Sequence, residues 1–153
     1  MTSVPEWVWS LVMAVHILCA VVWVGGMFFA YMVVRPSLVA IDPPQRMLLH
    51  TQVFRRFFLV VWHAMPLILL SGFAMVLWQF GGMAHLRWNI NAMMGIGLLM
   101  SLIFVYIVFG PYKRFRRTTD RTRMASSLDS IRKLIGLNML LGLITVVLAA
   151  WNW

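Results

Sequence analysis

The 28 residues from Trp7 to Val34, WVWSLVMAVHILCAVVWVGGMFFAYMVV, contain no Asp, Glu, Lys or Arg. A helix rising ~1.5 Å per residue needs about 20 residues to cross ~30 Å of hydrocarbon, so this run is long enough to span a bilayer. Three more charge-free windows follow, 57–86, 88–112 and 134–153, of 30, 25 and 20 residues. The expected fold class is all-α: an integral membrane four-helix bundle over 1–153, one domain with spans near 7–34, 57–80, 89–112 and 134–151. Composition agrees. The chain is 62% apolar and 11% charged, against roughly 45–50% and about 25% in a soluble domain. Loops this short leave no room for a separate soluble catalytic domain.

The net charge of +9 reports topology rather than nucleic-acid binding, because twelve of the thirteen Lys and Arg residues lie within Arg35–Arg56 and Lys113–Lys133. Between the second and third windows there is only Arg87. By the positive-inside rule the two basic loops face the cytoplasm and both termini face outward. Trp7, Trp9, Trp78, Trp88, Trp151 and Trp153 fall near the outer ends, as an interfacial belt requires. The first span is expected to stay rather than be cleaved as a signal peptide, since Glu6 precedes it and it exceeds an h-region in length. Arg35-Pro36 is expected to stop helix 1. Asp42-Pro43-Pro44 reads as the start of a short interfacial helix in the first cytoplasmic loop. That helix would turn Met47, Leu48 and Phe54 to the membrane, and Arg46, His50 and Arg55 to headgroups and water. Gly81-Gly82 marks the outer turn that carries His85.

The sequence contains no Walker loop, dinucleotide fingerprint, Ser-His-Asp set or His-Glu-x-x-His motif. One cysteine, Cys19, excludes a disulfide framework and a Cys-rich metal site. What remains is imidazole and thioether. His16 and His63 fall inside spans, where a coordinating or ionisable group is a functional candidate by default. Iron and copper both suit imidazole. Depth tests whether the two share one ion. Counting from the window edges puts His16 roughly 12 Å below the outer boundary and His63 roughly 9 Å above the inner one, about 9 Å apart in level. In that frame Gly72 lies near the level of His16, where a missing side chain could admit a porphyrin, and Asn138 lies near His63. His16, Cys19, Trp23 and Met27 share one helix face, and Asn138, Gly142, Thr145 and Ala149 form a stripe expected to face inward. The thirteen methionines offer soft ligands for Cu(I) or act as flexible core filler.

His16 with Trp23-Val-Gly-Gly26 and Arg35-Pro36, then Arg55-Arg56 leading to Pro66 and Ser71-Gly72, then a basic loop before Leu137-Asn138, resembles the copper resistance protein D family of bacterial inner-membrane proteins. More remotely, the helix 1 pattern resembles the HemJ-type protoporphyrinogen oxidases, four-helix proteins that bind haem b. That family has a lysine three residues before the helix 1 histidine and another opening helix 3, where this chain has Met13 and Asn91.

These resemblances imply a histidine-bearing bundle in the bacterial inner membrane that handles haem or copper, with His16 as the position that carries over. The leading expectation is haem b between the helices, with His16 and His63 as ligands and Gly72 and Asn138 lining the site. Such a protein would move electrons between a quinol or porphyrinogen and an acceptor; as an enzyme it would be a haem-dependent membrane oxidoreductase. The alternative is copper transport or resistance, with His85 and outer methionines collecting the ion and His16 with Met27 passing it inward. A third reading is an accessory subunit of a larger membrane complex, or a homo-oligomer.

Overall fold

A computed structural model of the chain describes residues 4–79, 81–83 and 86–151. They form four helices: α1 (Glu6–Ala40), α2 (Pro43–Gln79), α3 (Trp88–Arg117) and α4 (Arg121–Ala150), each long and apolar enough to cross a membrane. The described residues include no strand. The all-α four-helix expectation holds. α1 packs chiefly on α2, and α3 on α4.

The helix ends differ from the sequence expectation at two places. Arg35-Pro36 does not stop α1, which stays helical to Ser37 and tightens into a 3₁₀ turn at Leu38–Ala40 before the chain extends at Ile41. The turn before the proline, Ala30–Val34, is widened to a π-helix, and the N–H of Arg35 reaches back to the carbonyl of Ala30. A wider turn accommodates the ring, and proline's own φ is helical, so the ladder survives it. Arg46 then closes the end: its Nη2 donates to the carbonyls of Val39 and Ile41 at 3.2 and 2.9 Å.

The second difference follows. A helix does start after Asp42, but it runs unbroken from Pro43 through Pro66 to Ala74, so the expected interfacial helix is the first turns of α2. Continuity fixes which face those turns present. Phe54 points into the bundle at 6% exposure rather than to the membrane, and His50 is buried with it. The outer turn forms as expected, with φ +74° at Gly81 and +95° at Gly82, a conformation that glycine alone adopts readily.

The core is uneven along its length. Toward the arginine-rich end, Phe58 sits edge-on to Tyr112 and Phe104, with centroids 4.7 and 5.8 Å away, and Phe54 stacks on Phe58 at 5.6 Å. Trp23 of α1 meets Phe104 edge-on at 6.0 Å. The first turns of α1, Glu6–Ala20, contribute no buried residue. Glycines set the closest approaches: a Cβ on Gly142 would stand 2.7 Å from Val24 Cγ2, and one on Gly26 2.7 Å from Phe57. Of the α4 stripe, Asn138 and Gly142 are buried, Thr145 is half-buried and Ala149 is exposed. Leu70, Leu102, Phe109 and Val147 are exposed on the outside of the bundle, where a bilayer takes the place of water.

Candidate functional site

His16 is held against α2. Its Nδ1 lies 2.9 Å from Ser71 Oγ, and Ser71 Oγ is also 2.7 and 3.1 Å from the carbonyls of Leu67 and Ile68. Carbonyls only accept, so the single hydroxyl proton is committed to them, and Ser71 accepts from the Nδ1–H of His16. The imidazole is thereby fixed in one tautomer, with its lone pair on Nε2. That is the form that ligates a metal.

Gly72 is what lets the ring lie there. A Cβ at Gly72 would stand 3.2 Å from His16 Cε1, closer than comfortable van der Waals contact. The counted levels of His16 and Gly72 therefore agree with the packing, and the hollow at Gly72 is filled by His16's own ring. On the same face of α1, Trp23 and Met27 are buried at 2% and 1% exposure, while His16 and Cys19 are half-buried.

His63 is placed elsewhere. It is exposed, and its Nδ1 lies 2.8 Å from the carbonyl of Leu59, one turn back on its own helix. Eight residues separate it from Ser71, which is about 12 Å along α2. The structure does not bring His63 to His16. Asn138 is 1% exposed and donates from Nδ2 to the carbonyl of Met100 at 3.2 Å, while its Oδ1 has no partner among the described residues. His85 lies outside the described residues.

Two buried polar groups have weak signals in the sequence. His50, expected at the headgroups, is 6% exposed; it stacks on Phe54 and accepts a hydrogen bond on Nε2 from Arg132 Nη2 at 3.0 Å. Its i, i+4 relation to Phe54 is visible in the chain, but the partner on α4 is not. Asn89 opens α3 and reaches the Leu148 carbonyl of α4 at 3.4 Å. Among the described residues, no three His, Cys, Asp or Glu side chains gather as a metal site.

The family model for copper resistance protein D matches residues 51–152. The matched stretch includes His63, Ser71, Gly72 and Asn138, and His16 precedes it. The remoter likeness to protoporphyrinogen oxidases receives no support from this match. No curated protein and no solved structure matches the chain significantly. With 102 of its 153 residues matched and four helices able to cross a bilayer, the chain is a multi-pass membrane protein that belongs to the copper resistance protein D family.

Proposed function

We propose that this protein handles Cu(I) within the membrane, with His16 Nε2 as the ligand that meets the ion. The observation that carries this reading is the His16–Ser71 contact, which ties down Nδ1 and leaves Nε2 without a hydrogen-bond partner among the described residues. An outer hydrogen bond of this kind fixes ring orientation and raises ligand basicity. Two thioethers lie within about one turn of that contact along their helices, Met13 exposed and Met75 buried. Met13 precedes His16 by three residues and Met75 follows Ser71 by four; because α1 and α2 run antiparallel, both are offset toward the same end of the bundle. Thioether with imidazole suits Cu(I). So sparse a ligand set fits an ion that is passed on rather than stored, and the family's link to copper resistance supports the same reading.

Haem b would use the same Nε2, but the surrounding residues fit that group poorly. The space at Gly72 is taken by the imidazole, and His63 is exposed and lies about 12 Å along α2. One experiment separates the two. Protein purified in mild detergent and titrated with Cu(I) against a chromophoric chelator should retain about one ion per chain, set by the His16 imidazole at the α1–α2 contact, and show no haem band. A dithionite-reducible haem spectrum in the purified protein would overturn the copper reading.

In this reading the two basic loops face the cytoplasm of a bacterial inner membrane and both termini face the periplasm. A reporter active only in the periplasm, fused after Trp153, is expected to give signal. Activity of a cytoplasmic reporter at the same position would invert the orientation.

A further inference from the structure

We infer that the cleft between α1, α2 and α4 at the arginine-rich end binds a phosphate group, supplied by an anionic phospholipid or by soluble phosphate. The cleft has a volume of about 30 Å³ and is lined by Arg35, His50 and Arg132 with Val34, Val53 and Ile135. That is room for one or two oxygens of a phosphate group, the rest of which would sit at the open side of the cleft. It lies 19 residues along α1 from His16, about 28 Å, so it is separate from the copper reading and does not depend on it.

Three features point to an anion with oxygen acceptors. Arg132 gives Nη2 to His50, while its Nε is buried and donates to nothing among the described residues. Arg46, beyond the cleft lining, gives Nη2 to carbonyls at the end of α1, and its Nε is likewise buried without an acceptor among the described residues. A buried donor with no acceptor carries the full cost of its desolvation. Arg35 stands at the mouth with its guanidinium 5.1 Å from the Tyr31 ring centroid. Neither ion pair among the described residues, Arg123–Asp120 or Lys133–Asp129, uses any of these three arginines.

His50 acts as the positioning residue. Arginine has no acceptor, so the Arg132–His50 contact requires a neutral imidazole with its lone pair on Nε2. That bond commits Nη2 and leaves Nε as a donor with no acceptor among the described residues. The setting also suits a phosphodiester. Arg35 closes the charge-free window of α1, and Arg132-Lys133 immediately precede that of α4, which is headgroup level for a spanning helix. The aliphatic walls below would meet glycerol and acyl chain. Arginine's planar fork matches phosphate oxygens, and clustered cations at this depth attract anionic lipid.

The test uses the full chain in phosphatidylcholine nanodiscs doped with phosphatidylglycerol, with retained lipid counted by native mass spectrometry. Arg132→Gln is expected to weaken phosphatidylglycerol retention about tenfold, the loss of one charge-assisted hydrogen bond. Arg117→Gln removes the same charge from the other end of the same basic segment, at the end of α3 and outside the cleft lining, and should stay within about twofold, since a single screened surface charge contributes little. Should Arg132→Gln fail to fold, Arg35→Gln at an exposed residue carries the same expected direction. A parallel arm in detergent compares sodium phosphate with sodium chloride at equal ionic strength by thermal unfolding. A phosphate-specific rise in Tm that Arg132→Gln abolishes, without lipid selectivity, upholds the site and assigns it to soluble phosphate. Equal lipid retention by wild type and the site variants with no phosphate-specific rise overturns the proposal, as does an equal loss in Arg117→Gln.

Discussion

His16→Ala is expected to lower Cu(I) affinity by about a hundredfold or more, while His63→Ala leaves it within about twofold. The first figure follows from outer-shell substitutions, which typically cost 10–100-fold, so loss of the ligand itself should cost at least the upper end. Ser71→Ala removes only the group that holds Nδ1 and is expected to cost about tenfold. His63 differs in kind. Its Nδ1 is tied to a carbonyl of its own helix, its side chain is exposed, and it stands well away from Ser71 along α2. Chelator competition with each purified variant, its fold checked by circular dichroism, measures all three. Unchanged affinity in folded His16→Ala would remove the proposed ligand, and a matching loss in His63→Ala would join the two histidines in one site.

Gly142→Ala is expected to destabilise the bundle by about 1–3 kcal/mol, the usual cost of forcing a methyl group into a packed contact. The new Cβ would lie 2.7 Å from Val24 Cγ2 and 3.2 Å from Met100 Cε. Methionine can swing aside. Valine cannot, because a β-branched side chain in a helix is held to one χ1 rotamer, so α1 and α4 must separate. The ~1 kcal/mol of helix propensity gained on replacing glycine offsets part of the cost. Gly25→Ala is the internal contrast, since nothing lies within 4 Å of its Cβ position; there the propensity gain of about 0.5–1 kcal/mol stands alone. Thermal unfolding in detergent should place the two variants on opposite sides of wild type. If Gly142→Ala melts with or above wild type, the close α1–α4 contact is not what holds these helices together.

The residues whose positions could be counted were placed well from the sequence. Charge-free windows mark the four spans because carrying Lys, Arg, Asp or Glu to the bilayer centre costs several kcal/mol, so each of the four helices carries one window. Antiparallel helices of known rise then set levels, and Gly72 does meet His16. The 3.6-residue period put Trp23 and Met27 on one face of α1, and both are buried.

What counting could not reach was which face of each helix turns inward. In water, burial separates apolar from polar residues, so hydropathy reports it. In a bilayer the lipid outside is as apolar as the core, and the same Leu, Val and Phe serve either side. His63 faces out and His50 faces in, the reverse of what their neighbours in the chain suggested. His50 is buried because α2 continues straight through its first turns and brings the ring to an arginine 82 residues away. Asn138 found the Met100 carbonyl of α3, a partner that no spacing within α4 encodes. Charge against hydrocarbon and the rise of a helix, both legible in the chain, were enough for the number of helices able to span and for the matching levels of His16 and Gly72. The rotation of each helix, and with it the pairing of His16 with Ser71 and of His50 with Arg132, was decided by shape: close approach at Gly26, Gly72 and Gly142 and the aromatic packing around Phe58 admit one set of facing surfaces.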